Sequence, residues 1–358
     1  MSEKIKIFEN PKAKLVRSEN YNFNFNKQSG LFMRWGKTED DDPIVGLPEI
    51  LDIEVSEICH GVNNVPCPFC YKSNVGYKGR NMSLETFKKV IDNFFFFNSE
   101  GVSMTPLTQI ALGIGDIDSN PDLKDMILYA RERGIIPNIT INGDRLTDEW
   151  VEFFAKNLGA IAVSIYDKDI SYNAIKKLTD AGMTQVNVHF MICSQSIDRA
   201  YEIMNDTKTD PRLEKLNALV LLSLKQKGRG EHFTRLSQED FTKLVEYGMG
   251  NNIRLGFDSC GAFKFLKSIE KHPNYEQLEQ MVEPCESGLF STYINVEGKF
   301  FPCSFSEGTE GWEDGIDCAC NDFDFLRDVW YSKRVMIWRQ KLLNNCRNCP
   351  IYDVEGDI

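Results

Sequence analysis

Between residues 50 and 260, short apolar runs alternate with segments whose apolar residues recur every three or four positions. The first pattern suits strands covered on both faces and the second suits amphipathic helices, so the segment reads as parallel βα units. Strands are predicted at Leu51–Val55, Thr108–Leu112, Ile136–Ile141, Ala160–Ile165, Gln185–Ile192, Ala218–Leu222 and Ile253–Phe257. Helices are predicted at Ser83–Phe97, Pro121–Arg133, Asp148–Asn157, Ser171–Ala181, Ser196–Asp206 and Ser237–Tyr247. Ser83 caps the first of these, and Gly134, Gly182 and Gly248 stand where helices end. Six such units without a glycine-rich dinucleotide fingerprint predict an α/β fold, a partial (β/α)6 TIM-like barrel rather than a Rossmann sheet.

The flanks follow other rhythms. Residues 1–47 form an N-terminal extension in which Tyr21, Phe23 and Phe25 alternate with polar residues. That period of two predicts a hairpin packed on the barrel, or an edge open to a peptide strand. The barrel is assigned to 48–260 and a small α+β domain to 261–358. In the latter, YINVEGKFFPCSF reads as strand, Glu-Gly turn and strand, which brings Cys303 back toward Cys285.

Composition narrows the class. The chain has 358 residues, enough for one barrel and an appendage. Its 41 Lys+Arg against 53 Asp+Glu give a net charge of −12, which argues against a nucleic-acid footprint. No apolar signal segment opens the sequence and no long apolar run follows, so a cytoplasmic protein off the membrane is expected. The acidic run Glu39–Asp42 reads as a solvated loop. Eleven cysteines in a reducing compartment point to metal or redox use rather than disulfides.

Three of those cysteines, Cys59, Cys67 and Cys70, share the loop after the first strand. A closed zinc or iron–sulfur site takes four protein ligands, so three leave one metal position open for a substrate or cofactor. Zinc with His60 as fourth ligand is the competing reading. In a barrel the chemistry lies at the carboxyl ends of the strands. There the sequence sets polar residues in step: Gly113 to Asp116, Asn142, Ser164 with Tyr166 and Asp167, Cys193, then Lys225, Lys227 and Arg229, and finally Asp258 and Cys260.

Cys67-Pro68-Phe69-Cys70, with its aromatic before the last cysteine, resembles the first-strand motif of the radical S-adenosylmethionine (radical SAM) enzymes. ALGIGDIDSNPDL resembles their second-strand motif, and ITINGDRL their third-strand stretch. The resemblance covers residues 48–260. It implies that Cys59, Cys67 and Cys70 hold a 4Fe–4S cluster whose fourth iron binds SAM, with Phe69, Gly113, Gly115, Asp116, Asn142 and Ser164 at the cofactor. Two departures stand out. Seven residues instead of three separate Cys59 from Cys67, and Asp116 replaces a glutamate.

The C-terminal region resembles the auxiliary-cluster module of some of these enzymes, called SPASM, or Twitch in its one-cluster form. Twelve residues separate Cys285 from Gly298 and four more precede Cys303, with Cys346-x-x-Cys349 downstream and nine residues beyond it. The one-cluster form fits better, with Cys285, Cys303, Cys346 and Cys349 holding an auxiliary 4Fe–4S cluster. A zinc ribbon of the same four is the alternative, and Cys318 and Cys320 stay unassigned. The resemblance implies a radical SAM oxidoreductase, reduced by a flavodoxin or ferredoxin, whose 5′-deoxyadenosyl radical takes hydrogen from a substrate C–H bond. Oxidation or cross-linking of a peptide or protein side chain is the first expectation. Amino-sugar-type dehydrogenation, peptide epimerisation with a cysteine hydrogen donor, and a structural metal-binding protein are the others. Cys260 and Asp258 are the candidate catalytic residues, with Cys193 a second candidate thiol.

Overall fold

The computed structural model describes residues 5–18, 21–36, 46–98, 100–321 and 323–352. The acidic run Glu39–Asp42 lies outside them. The N-terminal region is larger than one hairpin. Strands β1 (Lys6–Glu9), β2 (Ala13–Arg17), β3 (Tyr21–Asn26) and β4 (Phe32–Gly36) pair antiparallel in that order. Tyr21, Phe23 and Phe25 turn to the buried face, as their alternation demands. Tyr21 meets Phe290 at 5.6 Å between ring centroids, and its hydroxyl accepts from the Leu47 N–H at 2.6 Å. Arg34 reaches Glu49 (2.7 Å), Glu283 (2.6 Å) and Glu286 (3.1 Å), tying the small sheet to two segments far apart in sequence.

The main sheet begins with β5 (Ile50–Glu54), followed by α1 (Leu84–Asp92) and a two-stranded ribbon of β6 (Phe96–Phe97) and β7 (Ser103–Met104). Then come β8 (Gln109–Gly113), α2 (Leu123–Glu132), β9 (Ile136–Ile141), α3 (Asp148–Asn157), β10 (Ile161–Ser164) and α4 (Lys168–Asp180). β11 (Val186–Ile192), α5 (Ile197–Thr209), β12 (Ala218–Ser223), α6 (Gln238–Gly250) and β13 (Leu255–Phe257) complete the alternation. After α7 (Ala262–Ser268) and α8 (Tyr275–Glu279), strands β14 (Ser291–Ile294), β15 (Lys299–Phe301) and β16 (Ile316–Asp317) precede α9 (Lys333–Asn344).

Two local expectations change. The first helix stops at Asp92 rather than Phe97, because four consecutive phenylalanines cannot share one helical face. Phe94 instead stacks on Phe325 at 3.9 Å, and the ribbon turns Phe96 inward (8% exposed) and Phe97 outward (68%). Gly248 is not a helix terminus. It lies within α6, where a Cβ would come within 2.3 Å of Leu255, so close packing explains it. Gly134 and Gly182 end their helices in left-handed backbone, with φ of 76° and 94°.

The ten-stranded sheet runs β13-β12-β11-β10-β9-β8-β5-β14-β15-β16. β5 and β8 to β13 are mutually parallel along their shared borders, and the two outermost strands do not pair with each other, so the barrel is open as predicted. β14 continues the sheet parallel to β5, so the C-terminal hairpin is built onto the barrel itself. Register sets Glu54 beside Gly113, Gly113 beside Thr140, Ser164 beside His189, and Ile192 beside Ser223. The carboxyl ends of the strands therefore share one edge, and the polar residues beyond them meet at one mouth. Among the described residues, no helix is long and apolar enough to cross a membrane.

Candidate functional site

The first-strand loop explains its own unusual spacing. Val62 and Val65 exchange backbone hydrogen bonds around Asn63 and Asn64, whose φ values of 53° and 60° make a two-residue turn of the type asparagine favours. That turn absorbs the extra residues between Cys59 and Cys67. It is fastened outward by the Asn63 N–H, which donates to Asp144 at 3.1 Å. The other side of the loop is held by the sixth-strand loop. Arg229 donates from Nε to the Cys67 carbonyl (2.7 Å) and from Nη1 to that of Asn74 (3.1 Å), and its own N–H donates to the Cys70 carbonyl (3.1 Å). A Cβ on Gly228 would meet the carbonyl oxygens of Tyr71 and Cys70 at 2.5 and 2.8 Å, so only glycine permits this approach.

The second-strand residues close the floor. Gly115 lies against Cys59, whose Sγ would be 2.5 Å from a Cβ there, whereas Gly113 has ordinary room. Asp116 is buried, and its Oδ2 accepts from both the backbone N–H and Nδ1 of His60. Its Oδ1 is buried with no partner among the described residues, and so is His60 Nε2. Asn142 is buried and accepts from the Asp144 N–H at 3.0 Å, bracing its own turn. Phe69 packs on Phe233 at 4.3 Å.

Ser164 sits at the end of β10, and beyond it Tyr166 lies beside Cys67. Burial, then the neighbouring Cys67, holds Tyr166 well above the ordinary tyrosine range, so it stays protonated. Tyr166 stood in the sequence ring without a role. Its register with β10 is the signal that picks it out. Asp167 caps α4 by accepting from the Ile170 N–H (3.0 Å), and the buried Cys193 thiol meets Ser196 Oγ at 3.4 Å.

At the far side, Lys225 forms a buried ion pair with Asp258, which also accepts from the Ser223 N–H at 3.2 Å. Burial alone would lower the Lys225 pKa, but Asp258 and Cys260 more than reverse it. Cys260 is pushed up to about 12 by burial, against the pull of Lys225. His189, on β11, is lowered to about 4 by burial, with Asp258 opposing. It enters the same mouth unforeseen, because a lone His in a strand gives no sign of which face it takes.

The C-terminal hairpin leans over this mouth. Lys72 bridges Glu54 (3.1 Å) and Glu307, Tyr71 packs on Phe305 at 4.5 Å, and Lys227 Nζ donates to the Phe305 and Glu307 carbonyls at 3.1 and 2.6 Å. Cys285 is buried and Cys303 and Cys349 are half-buried. Cys346 is exposed at the end of α9. Cys318 is buried with its thiol on the Ile316 carbonyl (3.3 Å), and Asn93, which caps the end of α1, donates to the carbonyls of Cys318 and Cys320.

Three thiols in one loop are a donor set that a 4Fe–4S cluster takes. All eleven cysteines are free. Burial raises the Cys59 and Cys67 thiols, and their neighbours in the loop add to it, Cys70 and Cys67 at Cys59 and Cys70 at Cys67. Yet among the described residues no three His, Cys, Asp or Glu side chains converge as ligands of one metal ion would. The unpartnered Asp116 oxygen beside Gly115 and Cys59 is an acceptor suited to an ammonium group at the open iron.

Residues 53–167 match the family model of the radical SAM superfamily. No curated protein matches the chain. Streptococcus suis SuiB bound to precursor peptide SuiA superposes with a TM-score of 0.65 at 13% identity, over 92% of this chain and 89% of that one. SuiB bound to S-adenosylmethionine gives 0.61 at 16% identity, over 82% and 68%. Native anSMEcpe with bound AdoMet and Cp18Cys peptide gives 0.54 at 14% identity, over 86% and 88%. At these identities the likeness is one of fold.

Proposed function

We propose, for a chain whose residues 53–167 form a radical SAM domain, that it oxidises or cross-links a peptide or protein side chain with the help of an auxiliary 4Fe–4S cluster. The carrying observation is that the C-terminal hairpin with Cys303 leans over the same mouth as the Cys59–Cys70 loop. A substrate held there lies between two groups of thiols. When bound, the first cluster and SAM supply a 5′-deoxyadenosyl radical that abstracts hydrogen from a C–H bond.

The chain's own residues orient and shield. Asp116 Oδ1 receives the SAM amino group, and Gly115 lets Cys59 pack close beside that position. Gly113, Asn142 and Ser164 line the approach at the neighbouring strand ends. Tyr166 stays protonated beside Cys67. The Phe69–Phe233 and Tyr71–Phe305 pairs exclude water. The peptide class is supported by solved structures of the same fold that hold peptides. A flavodoxin or ferredoxin would supply the electron, in a reducing cytoplasm that suits eleven free cysteines.

The test incubates reconstituted protein with SAM, a reductant and, in turn, peptides from any short reading frame neighbouring its gene and an amino sugar. A product two hydrogens lighter, or internally cross-linked, is expected. Unchanged mass with one solvent deuterium incorporated would point to epimerisation instead. Turnover of an amino sugar but no peptide would assign the small-molecule reading.

A further inference from the structure

Sequence spacing joins Cys346 to Cys285, Cys303 and Cys349 and leaves Cys260 free for chemistry. The structure groups the thiols differently. Cys260 sits in the turn Ser259–Gly261 at the end of β13. Lys225, which touches Cys260 and pairs with Asp258, also lies 5.2 Å over the Phe305 ring, two residues from Cys303. Phe305 meets Tyr352 at 6.2 Å, and the Tyr352 N–H donates to the Cys349 sulfur at 3.4 Å. Arg347 carries the chain back to the Cys285 carbonyl at 3.1 Å. Through these contacts the segments carrying Cys260, Cys285, Cys303 and Cys349 meet on one side of the barrel mouth.

Cys346 is placed otherwise. It is exposed, and with φ of 50° it begins a left-handed turn continued by Arg347 at 63°. That turn ends α9 and aims Arg347 and Cys349 inward, so a turn residue at position 346 meets the need without ligating anything.

We propose that Cys260, not Cys346, is the fourth ligand of the auxiliary 4Fe–4S cluster, together with Cys285, Cys303 and Cys349. The inference rests on the auxiliary cluster proposed above. Lys225 then lies against a ligand sulfur, where its ammonium offsets thiolate charge in a buried site. A cysteine bound to iron has no thiol hydrogen to return, so ligation takes Cys260 out of the hydrogen-donor role.

The experiment uses the full chain carrying Cys59→Ala, Cys67→Ala and Cys70→Ala, so that bound iron reports the auxiliary site alone. Into it Cys346→Ala or Cys260→Ala is added, and iron per chain and the EPR signal of the reduced protein are read after anaerobic reconstitution. The triple variant and its Cys346→Ala derivative are expected to hold about four irons with the same signal. The Cys260→Ala derivative is expected to lose most of that iron. Cys260→Ser, whose oxygen can still bind iron, guards against a folding defect and is expected to keep iron with a shifted signal. Full iron in Cys260→Ala, an unshifted signal in Cys260→Ser, or iron loss in Cys346→Ala overturns the assignment. Absence of iron from the triple variant itself, while wild type holds about four, overturns the auxiliary cluster and the assignment with it.

Discussion

Asp116 has two oxygens with different duties. One fixes His60 and the cysteine loop, and the other is buried and unpaired. Asp116→Ala is expected to weaken SAM binding by roughly 1.5–3 kcal/mol, the range for losing a hydrogen bond to a charged group. Equilibrium binding to the reconstituted protein measures it, and unchanged affinity would separate Asp116 from the cofactor. Gly115→Ala drives a methyl group into Cys59 and is expected to disturb the first cluster's visible absorption while sparing the auxiliary one. The cysteines and GIGD were legible because ligand spacing and glycine are written directly in sequence. Tyr166 and His189 were not, because a single polar residue acquires its meaning only from strand register.

At the scale of elements, ends and approaches carry most of the information. Ser83 accepts from the Thr86 N–H at 3.1 Å as its position before α1 predicts, and Ser83→Ala is expected to cost about 1 kcal/mol in denaturant unfolding. The strands came within two residues of their sequence reading, since apolar runs bounded by turns mark buried parallel strands. The N-terminal meander was only half legible, because its outer strands lack the alternation that exposed β3. Its docking is testable through Lys14 on β2, buried with Nζ donating to the carbonyls of Thr105 (3.2 Å) and Leu107 (2.7 Å). Burial, partly offset by Glu9 and reinforced by Lys27, lowers Lys14 from 10.5 to about 8. Between those values the unfolded chain binds more protons than the folded one, so this residue makes stability rise with pH across that window. Lys14→Met is expected to abolish that rise, as read by unfolding curves at pH 8 and 10.

Across the whole molecule, the sheet passes from barrel to C-terminal hairpin without a break, through β5 and β14. That continuity fixes the hairpin over the barrel mouth. It was illegible in sequence, since nothing local says which strand a distant hairpin will join. The regrouping of Cys260 is illegible for the same reason, as its partners lie 25 residues or more along the chain. The most direct test of the account is SAM cleavage by the anaerobically reconstituted, reduced protein without substrate. Wild type is expected to release 5′-deoxyadenosine and methionine, and the protein with Cys59, Cys67 and Cys70 all changed to Ala is expected to release none. Stoichiometric zinc, no visible charge-transfer absorption and no 5′-deoxyadenosine from wild type would contradict it.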